Sequence, residues 1–292
     1  MFKKIYLLLK SQGIRGLFDA LNLRLRSPLP CYRSYKLFFQ DKIGLEIGGP
    51  TNIFKRNRLF PVYAVCQRLD NCNFSNQTAW EGYIQQGVTF QYDKYHPLGN
   101  QYISEASNLN SIPSATYDFL LSSHTLEHIA NPLKALSEWV RVLKDGGIMV
   151  LVLPHKEGTF DHLRPITSLE HLIQDFEVGV TEQDLTHLEE ILALHDLSRS
   201  PEFRNFDEFK SISIDNPNNR CLHHHVFDTR LGIKVINHVG LQILAFEVFR
   251  PYHILIIAQK PLGNQVVDNK HFLAINQTPC WSSPFASDNM LQ

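Results

Sequence analysis

The chain has 292 residues, of which 43% are hydrophobic and 20% charged, a composition typical of a globular protein with a buried core. Its formal net charge of −1 gives no overall electrostatic attraction for nucleic acid. No transmembrane span is visible, and the five cysteines include no CxxC pair, which argues against a disulfide framework or a cysteine zinc site. We therefore expect a cytoplasmic protein.

Residues 1–40 are predicted to form a basic amphipathic helical extension, because they carry eight Lys or Arg side chains against one acid. Apolar residues between Ile14 and Leu21 fall at helical spacing, so one face would pack on the core while the basic face stays in water. The alternative is a contact surface, formed by residues 1–26, for an anionic membrane or a partner protein.

A strand and a glycine turn follow in the sequence Ile43-Gly-Leu-Glu-Ile-Gly-Gly-Pro50. A glycine turn after a buried strand lets the backbone approach a ligand where a Cβ atom would collide. Glu46 lies near the carboxyl end of this strand, where it can reach an ammonium group or a water molecule. Taken alone, such a turn is structural about as often as functional.

The clearest β-α-β unit of the sequence comes later in the chain. Tyr117–Ser123 is an apolar run of strand length, Asn131 and Pro132 suit the start of a helix, and Gly146-Gly147 suit its end. Residues 148–153 read Ile-Met-Val-Leu-Val-Leu, which is typical of a strand covered on both faces. Two buried strands joined by a crossover helix predict a parallel sheet.

Residues 156–220 interrupt this pattern with fourteen acids against six Lys or Arg side chains. We expect an acidic helical insertion that covers the active site at the open end of the sheet. A capping box at Thr167 predicts one helix and Thr181 can begin a second, whereas residues 198–220 are polar and loop-like.

The chain then returns to the core. Asp228 or Thr229 can cap a helix that ends at Gly240, and two strands follow at 241–248 and 252–258. Their short connection predicts an antiparallel pair. Residues 261–292 are rich in Asn, Gln and Ser and are predicted to form a polar, disordered tail.

Two loops carry polar residues where strands should end. Glu105 is followed by Ala106, and an acid at such a place can accept a hydrogen bond from an exocyclic amine; the alternative is a solvated loop acid. Ser122-Ser123-His124-Thr125-Leu126-Glu127-His128 leaves the strand at 117–123. His124 can act as a base because imidazole exchanges protons near neutral pH; the alternative is a hydrogen-bonded structural histidine.

In order and spacing these segments resemble class I S-adenosylmethionine (SAM)-dependent methyltransferases, in particular the type 11-like methyltransferase domain family. That family carries a glycine motif, then Asp/Glu-Ala-x-x-Leu, then Tyr/Phe-Asp-h-h-x-Ser-x-x-Leu-Glu-His. Its next helix ends Arg-Val-Leu-Lys-x-Gly-Gly, which residues 141–147 match throughout. The resemblance covers roughly residues 43–155 and, more loosely, 221–260. It departs at the glycine loop, which is usually longer than Glu-x-Gly-Gly-Pro.

The resemblance implies an α/β fold with a Rossmann-like seven-stranded class I methyltransferase sheet that has one antiparallel strand. Residues 41–155 and 221–260 would form this SAM-binding core, with the helical insertion and the N-terminal helical extension added to it. SAM would be the cofactor. The residues expected to border it are Glu46, Gly48, Gly49, Pro50, Glu105, Ala106 and Ser123. An acid ending the second strand should hold the ribose, and the candidate is Asp70, with Asp93 as the competitor.

The implied reaction is methyl transfer to an oxygen or nitrogen atom of a small molecule or glycan. It requires alignment of donor and acceptor and often removal of a proton. By position, His124 and His155 are the candidate bases, while His162 and Arg164 are candidates for closing over the acceptor. Arg164 would suit an anionic group. The acidic insertion argues against a nucleic-acid acceptor, whose phosphates need Lys or Arg.

Alternative functions remain open at this point. The fourteen histidines suggest a metal, with His223 and His225 able to share a site with Asp161. Hydrogen-bonded or substrate-contacting roles are favoured instead, so we assign no metal ligand. The shortened glycine turn and the basic N-terminal segment suit a catalytically silent SAM-binding or scaffolding module. A nicotinamide-dependent oxidoreductase would need Gly-x-Gly-x-x-Gly, which is absent.

Overall fold

The structure is a computed structural model that describes residues 28–78, 80–274 and 283–289. The amphipathic helix predicted before residue 27, and the membrane or protein contact proposed for it, lie outside the described residues. The helices are α1 (Pro30–Tyr35), α2 (Pro132–Val142), α3 (Leu169–Val178), α4 (Leu188–Leu194), α5 (Phe206–Ile214), α6 (Asn216–Asn219), α7 (Thr229–His238) and α8 (Lys270–Leu273). The strands are β1 (Ile43–Ile47), β2 (Arg68–Asn73), β3 (Gln77–Thr78), β4 (Gly82–Tyr83), β5 (Gly87–Phe90), β6 (Gly99–Ile103), β7 (Tyr117–Ser123), β8 (Leu143–Pro154), β9 (Gln242–Phe249) and β10 (His253–Gln259).

One large sheet organises the fold, with the strand order β5-β6-β2-β1-β7-β8-β10-β9. Strands β6, β2, β1, β7 and β8 run parallel, and β10 is antiparallel to both of its neighbours. The predicted Rossmann-like α/β fold is therefore confirmed. Its sheet has one more strand than the seven expected, because β5 adds to the edge antiparallel to β6. This strand is short and largely exposed, so its sequence lacks the apolar run that marks the central strands.

Strand β8 shows why the centre of the sheet was predictable. Its alternate side chains belong to two separate apolar cores: Met149 and Leu151 pack with α2 and α7, whereas Val150 and Val152 pack with the aromatic layer on the opposite face. A strand covered on both faces needs an uninterrupted apolar sequence. Helix α2 begins as predicted, with Asn131 Oδ1 accepting the backbone N–H of Lys134 at 3.0 Å.

The insertion after β8 is more helical than the sequence indicates. The loop predicted for residues 198–220 is wrong where α5 forms, since Asn205 caps that helix and Phe209 is buried beneath it. Helix α3 is capped by Ser168, one residue after the predicted Thr167, and α4 begins at Leu188, well after Thr181. Helix α3 packs against α2 and α7, whereas α4 and α5 pack on each other around Phe209.

Residues 283–289, part of the tail expected to be disordered, pack on the core. Phe285 is buried and stacks on His155, with ring centroids 4.0 Å apart. The carboxylate of Asp288, also buried, accepts a hydrogen bond of 2.7 Å from Thr229 Oγ1. The expectation of disorder is therefore wrong for this segment, because one aromatic ring and one buried carboxylate fix it in place. Within the described ranges, no helix is long and apolar enough to cross a membrane.

Candidate active site

A cavity of about 510 Å³ lies at the carboxyl edge of the sheet. Its floor is formed by residues that follow the central strands: Ile47 and Gly48 after β1, Asn73 at the end of β2, Ser123 at the end of β7 and Pro154 at the end of β8. The insertion supplies the opposite wall. This edge is where open α/β sheets bind ligands, and the volume suits a cofactor-sized molecule.

The glycine turn after β1 forms one side of the cavity. Gly48 has a φ of +77°, and a Cβ added to it would lie 2.7 Å from Thr125 Oγ1. Gly48 and Pro50 line the cavity, whereas Gly49 faces the protein, where its added Cβ would meet the carboxyl group of Glu46 at 2.3 Å. Only glycine fits at Gly48, so the backbone itself forms this wall.

Glu46 lies behind the turn and not in the cavity. Its carboxylate is fully buried and accepts hydrogen bonds from Tyr63 Oη at 2.5 Å and the Thr51 backbone N–H at 3.1 Å. Burial raises the pKa of Glu46 to about 7, against the opposing effect of these hydrogen bonds. The structure thus places Glu46 as a support of the turn, one layer away from any ligand.

Glu105 and Ala106 line the cavity, and Arg220 at the end of the insertion binds the Glu105 carboxylate. Arg220 Nη2 donates to Glu105 Oε1 at 2.5 Å, and Arg220 Nε lies 3.5 Å from Glu182 Oε2. Burial raises the pKa of Glu182 to about 7. The Arg220 guanidinium also stands 5.1 Å from the ring centre of Phe74, which closes this end of the cavity.

Neither acid expected to hold the ribose lines the cavity. Asp70 lies within β2, three residues before its end, and accepts from Tyr117 Oη at 2.8 Å. Asp93 is bound by Arg56, with 3.1 Å between Nε and Oδ2. The side chain that reaches the cavity at the end of β2 is Asn73. The sequence interpretation missed it because the polar run Arg68–Asn73 looks unlike a strand.

Two of the proposed catalytic histidines lie outside the cavity. His155 is fully buried, and its Nε2 lies 3.4 Å from Asp288 Oδ1. His162 lies on the insertion with its Nε2 2.9 Å from Asp196 Oδ2. His155 holds residues 283–289 against the core, whereas His162 joins two parts of the insertion.

Arg164, predicted to receive an anionic acceptor, is also buried away from the cavity, with 1% of its surface exposed. Its guanidinium donates to Asp161 Oδ1 at 2.9 Å, to Glu190 Oε1 at 2.8 Å and to the carbonyls of His223 and His224. All four acceptors are groups of the protein itself, so Arg164 stabilises the packing of the insertion.

His124 is the one proposed base that lines the cavity. It follows β7 directly with a φ of +53°, a left-handed conformation that non-glycine residues seldom adopt. Its Nε2 lies 2.9 Å from His253 Nδ1, and its Nδ1 lies 3.7 Å from Glu127 Oε1. The neighbouring Ser123 Oγ is buried and has no hydrogen-bond partner among the described residues, as expected of an atom placed to meet a ligand.

The structure adds a group that the sequence did not bring together: Glu127, His128 and His223. The Nε2 atoms of both histidines lie 4.0 Å from Glu127 Oε1. Burial, aided by the neighbouring His223, lowers the pKa of His128 to about 4, whereas Asp161 outweighs burial and raises the pKa of His223. His223 arrives from the far side of the insertion, so only the tertiary fold could reveal this group.

Comparison with known proteins agrees with this geometry. Residues 77–151 match the sequence family described as a methyltransferase domain, and no curated protein matches the chain. The sheet order and the cavity at its carboxyl edge define a Rossmann-like α/β fold with a candidate ligand site. The matched residues run from β3 into β8, so this part of the chain is similar to a methyltransferase domain.

Several solved structures are similar to the chain at low identity. A SAM-dependent methyltransferase from Methanosarcina mazei is 15% identical, with a TM-score of 0.45 over 82% of this chain and 100% of its own. One from Aquifex aeolicus is 15% identical, with a TM-score of 0.42 over 86% and 98%. The 1,6-didemethyltoxoflavin-N1-methyltransferase of Burkholderia thailandensis is 9% identical, with a TM-score of 0.43 over 89% and 90%.

Replacing Gly48 by alanine is expected to weaken SAM binding by about tenfold or more, because the new Cβ would displace the turn from Thr125. Gly240 provides a matched control, since its φ of +76° imposes the same backbone strain while an added Cβ meets nothing within 4 Å. Calorimetric titration with SAM measures both variants. Equal affinities for Gly48→Ala and Gly240→Ala would show that the turn does not contact the cofactor.

Proposed function

We propose that the protein transfers the methyl group of SAM to an oxygen or nitrogen atom of a neutral or cationic small molecule or glycan. The observation that supports this most is a single cavity with a glycine turn on one side and ionisable side chains on the other. When bound, SAM supplies a methyl group on a sulfonium that a nucleophile can attack in line. The chain must therefore hold both molecules in one geometry.

The residues along the sheet edge fit the cofactor. Gly48 and Pro50 would border its methionine part, where a Cβ on Gly48 would collide with Thr125 Oγ1 and displace the turn, and the unpaired Ser123 Oγ would gain a partner there. Asn73, at the end of β2, would take the place expected for Asp70 beside the ribose. Glu105, with Ala106 next to it, would border the adenine.

The charges lining the cavity favour a neutral or cationic acceptor. Five glutamates line it, Glu81, Glu105, Glu127, Glu182 and Glu202, against two arginines. Arg220 is already paired with Glu105, and Arg199 donates to the backbone carbonyls of Glu157 and Thr159. Both guanidinium groups are thus engaged within the protein, which leaves an anionic acceptor group without a strong partner.

His124 is proposed to accept the proton that the acceptor loses. Its ring lies between the end of β7 and Tyr252, 5.3 Å from that ring, beside the position proposed for the cofactor. The Glu127 carboxylate, whose Oε1 lies 3.7 Å from His124 Nδ1, would orient the ring. Tyr252 and Phe160 also line the cavity and exclude water from the reacting atoms.

A transfer experiment tests this proposal. Purified protein is incubated with methyl-labelled SAM and a metabolite extract, and products are identified by mass spectrometry. We expect label in a neutral or basic hydroxylated or amine compound. Label confined to anionic products would refute the acceptor class, and SAM binding without any transfer would favour the silent SAM-binding module.

We also propose that this reaction takes place in the cytoplasm. The described cysteines, Cys31, Cys66, Cys72 and Cys221, are free thiols, which fits a reducing compartment. The contact surface suggested for residues 1–26 remains a proposal and can be tested by sedimentation with anionic vesicles.

A further inference from the structure

We propose that Glu127, His128 and His223 bind a divalent transition-metal ion on the acceptor side of the cavity. One ligand atom from each residue lies within 4.8 Å of the others, and all three side chains line the cavity. The proposal that a metal binds depends on these three side chains alone. Only its role toward the acceptor depends on the proposed function.

Hydrogen bonds to the Nδ1 atoms of His128 and His223 determine that the Nε2 atom of each ring faces Glu127. His128 Nδ1 lies 2.9 Å from the carbonyl of Leu222, which can only accept, so the ring proton is on Nδ1. His223 Nδ1 lies 2.5 Å from Asp161 Oδ2 and donates to it. In the neutral rings each Nε2 therefore presents a lone pair toward Glu127. A histidine oriented by a carboxylate or a carbonyl is the usual arrangement around a bound metal.

The carboxylate of Glu127 is a second, independent reason to propose a metal ion at this place. This carboxylate is fully buried, and neither oxygen has a hydrogen-bond partner among the described residues. A buried carboxylate without donors is costly, and two imidazole lone pairs pointing at it add repulsion. A cation between the three groups would satisfy all of them.

Buried residues around the three proposed ligands hold them in position. Arg164 donates to Asp161 Oδ1 and to the carbonyl of His223, so the residue that orients His223 is itself fixed. Because these supports are almost fully buried, the three ligand atoms are positioned before any ion arrives.

The donor set points to the kind of ion. Two imidazoles and one carboxylate suit zinc, iron(II), cobalt, nickel or manganese, whereas magnesium and calcium prefer oxygen ligands. Three protein ligands leave coordination positions open, and these face the cavity. An oxygen or nitrogen atom of the acceptor would lie there.

A second histidine group provides an internal comparison. His171, His187 and His225 also bring ligand atoms within 4.8 Å of one another. Two of its rings already engage each other, because His171 Nε2 and His187 Nε2 lie 3.0 Å apart, and His225 Nε2 lies 3.1 Å from the Ala130 carbonyl. None of the three lines the cavity. This group is the matched control for the proposed site.

The test uses the full chain, stripped with a chelator and titrated with Co²⁺, whose visible absorption reports coordination by protein ligands. We expect binding in the unaltered protein and in His187→Ala. Affinity should fall about tenfold or more in Glu127→Gln and His223→Ala, and about 10–100-fold in Asp161→Asn, which weakens the support of His223 and also the buried pair with Arg164. Co²⁺ should raise the Tm of the unaltered protein and of His187→Ala, but not that of Glu127→Gln.

The outcomes separate the competing explanations. Absence of Co²⁺ binding in the unaltered protein would refute the site, as would loss of binding in His187→Ala with retention in Glu127→Gln. Glu127→Gln keeps the shape of the side chain, so it reports on the ligand even if His223→Ala fails to fold. SAM is titrated into the same samples. SAM binding without Co²⁺ binding leaves the methyltransferase function intact and rejects the metal, and the reverse result rejects the cofactor assignment.

Discussion

Replacing Arg164 by alanine is expected to lower the free energy of unfolding by about 3–5 kcal/mol. The guanidinium is 1% exposed and bonds to Asp161, to Glu190 and to two backbone carbonyls. Removing it would leave the buried carboxylate of Asp161 with His223 as its main counter-charge. The loss comes from this uncompensated buried charge more than from the energy of any single hydrogen bond.

Urea unfolding followed by circular dichroism measures this effect. The matched control is Arg204→Ala, which removes an arginine paired with Glu208 on the exposed surface of the same insertion and should leave the midpoint unchanged. Arg164→Lys should recover only part of the loss, because one ammonium group cannot reach all the acceptors of a guanidinium. If Arg164→Ala were as stable as Arg204→Ala, the hydrogen bonds of Arg164 would contribute nothing to the free energy of unfolding.

The same network predicts a dependence on pH. Burial opposes ionisation of Asp161, but His223 and Arg164 outweigh it and lower its pKa to about 2, against an ordinary value of 3.8. A lowered carboxyl pKa stabilises the folded state above the ordinary value, and this contribution disappears as the pH falls toward 2. The stability difference between the unaltered protein and Arg164→Ala should therefore narrow over that range. A difference that stays constant would contradict the role given to Asp161.

The features that the sequence predicted correctly are local. Strand β7, helix α2 and strand β8 follow one another within about forty residues, and each has its own mark: an apolar run, a capping Asn131 before Pro132, and a glycine pair. Their order forces a parallel sheet whatever the rest of the chain does. The position of the cavity follows from this, because ligands bind at the carboxyl edge of such sheets.

The errors concern residues whose role depends on distant partners. Asp70 has the right charge for a ribose, but its position depends on where β2 ends, and the polar sequence of that strand hides its end at Asn73. Arg164 and His155 have the right chemistry for catalysis, yet both turn inward toward acids of other segments. Charge and residue type can be read from a sequence, whereas the direction in which a side chain points depends on tertiary packing.

For Glu127 too, the sequence showed the residue type but not its role. The Leu-Glu-His motif was visible, but its carboxylate became a candidate ligand only when the fold brought His223 to it. The left-handed backbone at His124 belongs to the same turn and was equally invisible. Strained backbone concentrates at functional sites, where the surrounding structure holds it in place. The turn after β7 therefore deserves the most direct catalytic test.

Replacing His124 by asparagine is expected to lower the rate of methyl transfer by about 10²–10⁴-fold while leaving SAM affinity unchanged. Asparagine is chosen because it tolerates the left-handed conformation that this residue adopts, with a φ of +53°. The backbone of the turn should therefore survive, and so should the contacts of Ser123 and Thr125 with the cofactor side of the cavity. What asparagine cannot do is accept a proton near neutral pH.

The measurement is the initial rate of labelled methyl incorporation into the acceptor identified in the metabolite extract, with a SAM titration on the same samples. His238→Asn is the matched control, since it makes the same substitution on an exposed ring at the end of α7 and should keep the full rate. An unchanged rate in His124→Asn would remove His124 as the proton acceptor. Equal losses in rate and SAM affinity would mean that His124 shapes the cofactor site. A loss in rate alone is the result that only a group acting on the acceptor produces, because cofactor binding and folding are both held constant.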